Sequence, residues 1–319
     1  MNTTTLDFEK PVADLETKLV EWEKLSSDNE MDVTDELKML RKKIEQTKKD
    51  IFSNLTANQK VQLARHPDRP YTLDYIERVF TDFIELHGDR RFGDDHAIIG
   101  GFAKLDGKPV MIIGSQKGRN TKDNVLRNFG YAHPEGYRKA MRLMRLAEKA
   151  NAPVISLIDT PGAYPGIASE ERHVGEAIAV NLREMFDIKV PILAIVIGEG
   201  GSGGALGIGV GNRIMIMENS YYSVITPEGC AAILWKDRSR SPEAAEALQI
   251  TAENLVNLGI GDIIIKEPLG GAHKDFDAVA HSLKSAILKT LKEFDEMSVE
   301  EIKNDRYEKF RRITAFIEE

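Results

Sequence analysis

The sequence predicts an α/β domain in which helices pack on a sheet buried on both faces. Three observations carry this. Short β-rich runs recur from about residue 97 onward, and their apolar stretches are nearly continuous, as strands covered on both sides require. Amphipathic helical stretches separate several of these runs, and strand–helix alternation is the α/β pattern. Two of the runs lead directly into turns rich in glycine and proline.

In chain order, residues 36–50 read as an amphipathic helix with Leu37, Leu40 and Ile44 at helical spacing, continued by Ile51. A second polar helix follows at 57–65. The stretch Arg65-His66-Pro67-Asp68-Arg69-Pro70-Tyr71 then breaks helix with two prolines. The boundary between a helical arm (1–70) and the core domain (71–296) is placed here. Strands are expected at 98–99, 110–113, 154–158, 192–197, 214–217 and 263–265. Helices are expected at 134–150, with Tyr137, Met141, Met144 and Leu146 on one side, and at 170–186, with Val174, Ile178 and Met185. The charged tail, 276–317, reads as helical, and 297–319 is set apart as a C-terminal helix.

Composition narrows the function. The 319 residues carry 42% apolar and 29% charged side chains, an ordinary balance for a soluble chain. A formal net charge of −8 disfavours nucleic acid as the main partner, because phosphate-rich surfaces select basic proteins. Cys230 is the single cysteine, so one chain forms neither a disulfide nor a thiolate metal cluster. This points to a reducing, cytoplasmic compartment. The seven histidines form no HxxxH or HxH pair, and no metal is expected in this chain. The longest apolar run, 190–197, falls far short of the ~20 residues that span a bilayer. The first ten residues lack the apolar core of a signal peptide.

The most informative segment joins the apolar run 190–197 to Gly198-Glu199-Gly200-Gly201-Ser202-Gly203-Gly204-Ala205. Glycines bring backbone amides close to a ligand with no Cβ in the way, and a helix opening at Gly203 or Gly204 adds unpaired N–H groups. Three readings compete. Gly198, Gly200 and Gly203 satisfy the dinucleotide pattern G-x-G-x-x-G, with Glu218 twenty residues on. Only eight residues separate Gly204 from Arg213, however, and three of them are glycine, a poor crossover helix. Gly200 to Gly204 also fit G-x-S-x-G, the serine-nucleophile elbow, with His273 and His281 downstream. The third and preferred reading is a backbone oxyanion hole. A second strand-end turn, Asp159-Thr160-Pro161-Gly162-Ala163-Tyr164-Pro165-Gly166, supports it by offering amides at Gly162 and Ala163 to a shared cleft. A branched side chain at Gly204 is expected to block a ligand there, whereas Ser202→Ala is expected to be tolerated.

Both turns resemble those of the carboxyltransferase alpha-subunit family of bacterial and plastid acetyl-CoA carboxylases. Leu63-Ala64-Arg65-His66-Pro67, Arg69-Pro70-Tyr71-Thr72-Leu73-Asp74-Tyr75, Gln116-Lys117-Gly118-Arg119, Pro134-Glu135-Gly136-Tyr137, Pro227-Glu228-Gly229-Cys230-Ala231 and Pro268-Leu269-Gly270-Gly271-Ala272-His273 resemble it too. The resemblance implies a crotonase-like (ClpP/crotonase) fold of repeated ββα units. It implies an α₂β₂ heterotetramer with a zinc-ribbon beta subunit. It implies transfer of a carboxyl group from carboxybiotin, held on biotin carboxyl carrier protein, to acetyl-CoA, forming malonyl-CoA for fatty acid synthesis. It implies that the N–H groups of Gly203 and Gly204 hold the biotin ureido oxygen, with Gly162, Ala163, Gly201 and Ala205 lining the cleft. Lys117 and Arg119, in a basic cluster with Lys122 and Arg127, are candidates for contact with CoA phosphates or the carrier, against a solvated face as the plain alternative. Cys230 reads as a packed small residue, and Glu199 and Glu228 as supports of the turns. A stand-alone crotonase-like acyl-CoA hydratase or decarboxylase is the alternative enzyme, and a non-catalytic scaffold the alternative class.

Overall fold

The computed structural model describes residues 4–29 and 34–313. Helices α1 (Lys10–Asn29) and α2 (Thr34–Phe52) pack as a hairpin, tied by Arg41–Glu23 and Lys48–Glu16 ion pairs. Helix α3 (Ala57–Ala64) opens with a capping box in which Thr56 and Gln59 bond each other's backbone N–H. Then come α4 (Thr72–Val79), β1 (Thr81–Glu85), β2 (Ile98–Leu105), β3 (Lys108–Ser115), α5 (Thr121–Leu126) and α6 (Pro134–Lys149). Pro134 starts α6, where its missing N–H costs nothing. Next are β4 (Val154–Thr160), α7 (Ile167–Glu171), α8 (Val174–Asp187), β5 (Ile192–Gly201), α9 (Ser202–Leu206), β6 (Arg213–Met217) and β7 (Tyr221–Ser223). The chain continues through α10 (Pro227–Trp235), α11 (Ser241–Ala247), α12 (Ala252–Asn257), β8 (Ile263–Ile265), α13 (Phe276–Leu291) and α14 (Val299–Arg311).

The strands form one sheet in the order β1-β2-β3-β4-β5-β6-β8, with β7 extending the pairing of β5. The first three are antiparallel and the rest parallel. β4 and β5 are buried along their whole length. Alternate residues feed two cores, as strand geometry dictates. Ile158 and Val196 join Tyr137, Met144 and Met185 beneath α6 and α8. Leu157, Ile195 and Ile197 join Tyr75, Leu283 and Ile287 beneath α4 and α13. The result is a three-layer sandwich whose central strands end together at one edge.

The expected strands are all present, most of them longer than the apolar runs that announced them. β1 and β7 are additional, short and partly exposed. The expected helix 170–186 is two helices, broken where His173 takes a left-handed backbone at φ 64°. The charged tail likewise divides into α13 and α14, the second opened by a Ser298–Glu301 capping box; residues 314–317 of that expectation lie outside the described residues. The segments placed beside the core domain are packed into it. Val61, Leu63 and Ala64 of α3 are buried, and Arg69 is enclosed against Glu267.

Arg306 of α14 is fully buried. It donates to the carbonyls of Met185 (2.6 Å), Ile188 (2.8 Å) and Val190 (2.7 Å), and to Asn212 Oδ1 (2.7 Å). Those carbonyls end α8 and lead into β5, where helix and sheet partners run short; Met185 alone of the three also accepts a cap bond, from the Ile188 N–H at 3.3 Å. Burial pulls the ionisation of Arg306 down to about 10, so it stays charged at neutral pH. Arg306→Ala strips several buried acceptors of their donor, each costing about 1–3 kcal/mol. We expect a loss of at least about 3 kcal/mol in urea unfolding, with little recovery in Arg306→Lys, which lacks the fork geometry. An unchanged midpoint in Arg306→Ala would refute this role.

Candidate functional site

β4 and β5 are parallel neighbours, and Thr160 pairs with Gly200 where both strands finish. The turns that follow press backbone against backbone. A Cβ on Gly201 would stand 2.2 Å from the Pro161 carbonyl oxygen. One on Gly204 would stand 2.4 Å from the Gly162 carbonyl carbon and 2.7 Å from the Ala163 nitrogen. The two glycine turns of the sequence therefore meet. Gly204, however, faces the neighbouring turn and not open ligand space. The expectation that a side chain there would block a ligand is corrected: it would first push the turns apart. At Gly203 an added Cβ meets only Ile178, at 3.4 Å.

On the open side, Ser202 is exposed and left-handed at φ 50°, Gly203 is half-buried and Gly204 is buried. Among the described residues no acceptor takes the N–H of Gly203, Gly204 or Ala163. The expected free amide of Gly162 is not free. Thr160 Oγ1 accepts it at 3.1 Å while lying 2.7 Å from the Gly130 carbonyl oxygen. Gly201 and Ala205 are buried on either side of the elbow.

Beneath the turns lies a charged lattice. Lys117 Nζ donates to Asp159 Oδ1 (2.7 Å) and Glu199 Oε1 (2.8 Å), and the Glu199 N–H donates to the same Asp159 oxygen (2.9 Å). Arg65 reaches Glu199 (2.7 Å), Glu228 (2.7 Å) and the Tyr221 hydroxyl (2.9 Å). Burial favours protonation of Glu199, but Lys117 and Arg65 outweigh it and hold the carboxyl at about 2. Gly198 lets Asp159 in, since a Cβ there would sit 2.4 Å from its oxygen. Arg69 Nε braces the end of β5 through the Ile197 carbonyl (2.7 Å), with Glu267 as its buried counter-ion.

This geometry sorts the sequence readings. Gly198 and Gly200 lie inside β5, and α9 spans five residues, so there is neither a phosphate turn nor a crossover helix for a dinucleotide. Ser202 has no histidine partner among the described residues. His273 is buried and stacks on His66 with ring centroids 3.9 Å apart, and His281 is exposed on α13 across the sheet. Lys117 is enclosed between its two carboxylates. Arg119 stacks on Tyr71 at 3.9 Å and bonds Asp74 and the Pro67 carbonyl. Arg127 pairs with Asp123. Among the described residues only Lys122 of that cluster lacks such a partner. Cys230 is buried.

Glu9, His66 and His273, remote in sequence, gather with ligand atoms within 4.8 Å of one another. The imidazoles stack face to face, so their lone pairs point side by side and not at a common centre. His66 is also occupied, by the Thr4 carbonyl and the Asp68 N–H. Such a donor set does not fit an ion as it stands.

The sequence model of the family described as acetyl co-enzyme A carboxylase carboxyltransferase-like matches residues 5–314. The acetyl-coenzyme A carboxylase carboxyl transferase subunit alpha of Geobacter metallireducens is 56% identical over 313 residues, 98% of each chain. That of Pasteurella multocida is 57% identical over 303 residues, 95% of this chain and 96% of the relative.

The chain belongs to the acetyl-CoA carboxylase carboxyltransferase family.

It is a carboxyltransferase subunit of the alpha type. Solved structures agree on the fold. A transcarboxylase 12S chain superposes with TM-score 0.57 at 19% identity, covering 71% of this chain and 42% of that one. A chain of a Pseudomonas malonate decarboxylase hetero-tetramer gives 0.56 at 15%, covering 68% and 86%. The fold is the crotonase-like one. What sequence reasoning missed is the support: Thr160, Asp159, Arg65 and Tyr221. An acid at the end of each of two apolar runs, Asp159 directly after Ile158 and Glu199 one glycine beyond Ile197, was the available signal.

Two outcomes follow. Gly204→Ala should lower the melting temperature by about 2 °C or more, since overpacking costs about 1–3 kcal/mol and a chain of this size shifts by roughly 2 °C per kcal/mol, whereas Gly203→Ala should shift it little. Equal melting temperatures would contradict the back-to-back packing. Because the Glu199 carboxyl is depressed, its stabilisation is complete above about pH 4.5 and is lost as pH falls toward about 2. Stability plotted over pH 5–2 should therefore fall less steeply in Glu199→Gln than in the parent, and parallel curves would exclude this contribution.

Proposed function

We propose that this chain, with a zinc-ribbon beta-type partner, moves a carboxyl group from carboxybiotin to acetyl-CoA, giving malonyl-CoA for fatty acid synthesis in the cytoplasm. The observation that carries the reading is the pair of facing turns. They present the N–H groups of Gly203, Gly204 and Ala163 at one strand edge, with no acid–base side chain bonded to Ser202. Three nearby donors without partners suit an oxygen that gains negative charge, as a ureido oxygen does.

Carboxybiotin on its carrier protein would supply the carboxyl group and, once that is lost, the base that accepts the methyl proton. Gly203 and Gly204 would hold the ureido oxygen, and Ala163 would face the same cleft from the second turn. Thr160, Asp159 and Glu199 keep these amides in place before reaction, so little reorganisation accompanies charge development. One such donor is worth roughly 2.7–4 kcal/mol. Gly162, Gly201 and Ala205 keep the cleft floor thin. Lys117 serves the site from below, through Asp159 and Glu199. Arg119 fixes Tyr71 and Asp74 at the rim.

The partner surface is proposed around the same turns. Leu206 follows the elbow, Ile167 follows Gly166, Phe129 precedes Gly130, and Val224 follows the strand paired with Gly201; all four are exposed. Large exposed apolar side chains around a site suit an obligate partner. No helix among the described residues is long and apolar enough to cross a membrane.

The test is reconstitution. The purified chain alone should neither form malonyl-CoA nor hydrate an enoyl-CoA. Adding a beta-type subunit should give malonyl-CoA from carboxybiotin and acetyl-CoA. In the complex, Ser202→Ala should keep kcat within about tenfold, or ~1.4 kcal/mol, and a fluorophosphonate should not label the chain. Full turnover by the isolated chain, or a dead Ser202→Ala, would overturn the reading.

A further inference from the structure

Away from the glycine turns, the loop between β1 and β2 and the groove between α6 and α8 form a half-open cavity of about 320 Å³. Five arginines line it: Arg90, Arg91, Arg138, Arg142 and Arg145. Its only acids are Asp89 and Glu176. In a chain of net charge −8 such a concentration of guanidinium groups is out of keeping with the rest of the surface.

The pairing inside the cavity is uneven. Asp89 is spent on structure: Oδ1 accepts the N–H groups of Arg91 (2.9 Å), Phe92 (2.8 Å) and Gly93 (3.0 Å), and Oδ2 accepts Arg138 Nε (2.8 Å). Arg145 is taken by Glu148 and Glu184. The other three have no carboxylate among the described residues. Arg142 donates to the carbonyls of Gly88 (2.9 Å) and His87 (3.2 Å), and Arg90 Nη1 to the same His87 carbonyl (2.7 Å). The side chain of Arg91 is exposed and bonds nothing described. Two cations thus converge on one neutral oxygen. Burial first, and Arg90 second, depress the ionisation of Arg142 against the opposing pull of Asp94 and Asp89. Of the two acids in the lining, Glu176 is the one that holds no hydrogen bond among the described residues.

We propose that this cavity binds a diphosphate group. Guanidinium forks match phosphate oxygens in pairs, and a polyanion balances three unpaired cations where a monocarboxylate would not. The loop is rigid enough to hold them, because the Asp89 turn locks residues 89–93 and Arg138 locks that turn to α6. The volume lies at the small end of ligand sites and suits a diphosphate with part of its ester. Met141, Ala177 and Val180 give an apolar wall for that part. The diphosphate has two sources of the same chemistry, a free nucleoside diphosphate or the bridge of a CoA thioester. The site does not depend on the carboxyltransferase reading, since it is defined on this chain alone.

The test is calorimetric titration of the full chain, without partner, at low salt. The titrants are sodium pyrophosphate, ADP, CoA and sodium sulfate. Pyrophosphate should bind at least tenfold more tightly than sulfate. Arg90→Gln with Arg91→Gln should weaken pyrophosphate at least tenfold at unchanged melting temperature, because neither side chain holds a carboxylate. ADP binding with CoA excluded would assign the nucleotide source, and CoA binding at least as tight as ADP the thioester source. Pyrophosphate no tighter than sulfate, or affinity untouched in the double variant, would overturn the proposal. Neither result depends on turnover, so failure here leaves the carboxyl-transfer reading to its own assay.

Discussion

The structure turns on one close approach: two neighbouring parallel strands end in turns whose backbones touch. Gly201 against Pro161 and Gly204 against Gly162 leave no room for a side chain. That contact explains why the preceding strand segment is short of side chains as well, because β5 runs on through Gly198, Gly200 and Gly201 beside Asp159 and Tyr222. It also explains the lattice below. Two turns held by van der Waals contact alone would slide. Lys117 ties the base of one, at Asp159, to the base of the other, at Glu199. Thr160 closes the first turn on itself and on Gly130.

Removing charges from water carries a large cost, and such ion pairs rarely add net stability over apolar packing. Their return here is position. Glu199 accepts from Lys117, Arg65 and Tyr221 at once, and each partner arrives from a different part of the chain. Arg69 with Glu267 does the same two residues earlier on β5, where its Nε donates to the Ile197 carbonyl. The sheet edge is thus fixed by groups contributed from residues 65, 69, 117, 221 and 267, and backbone amides at the turns inherit that rigidity. Preorganised amides are effective for this reason: their dipoles are aligned before charge appears.

How much of this was legible follows from what each feature depends on. The central strands were, because burial on both faces writes an unbroken apolar run. So were the two turns, because glycine beside proline at a strand end has few other uses. The edge strands β1 and β7 were not, since Thr81–Glu85 and Tyr221–Ser223 are short and half exposed. The break at His173 was invisible because a left-handed histidine carries no glycine to announce it. The stacked His66 and His273, with Glu9 beside them, escaped a search for local histidine pairs because the fold, not the spacing, brings them together. Gly204 was assigned to the right turn and the wrong direction; sequence says that space is needed, and only coordinates say on which side.

Arg306 has a consequence for how the chain is made. The carbonyls it satisfies belong to residues 185–190 and lie between α8 and β5, at the heart of the sheet. A ribosome adding roughly 5–20 residues per second completes that segment several seconds before it reaches α14. For that interval the nascent chain holds its central strands but not the cation that closes their lower end. A product cut short after α13 would keep nearly all of its apolar core and still carry uncapped buried carbonyls. Those carbonyls meet this donor only once residue 306 has been added, long after β5 is made.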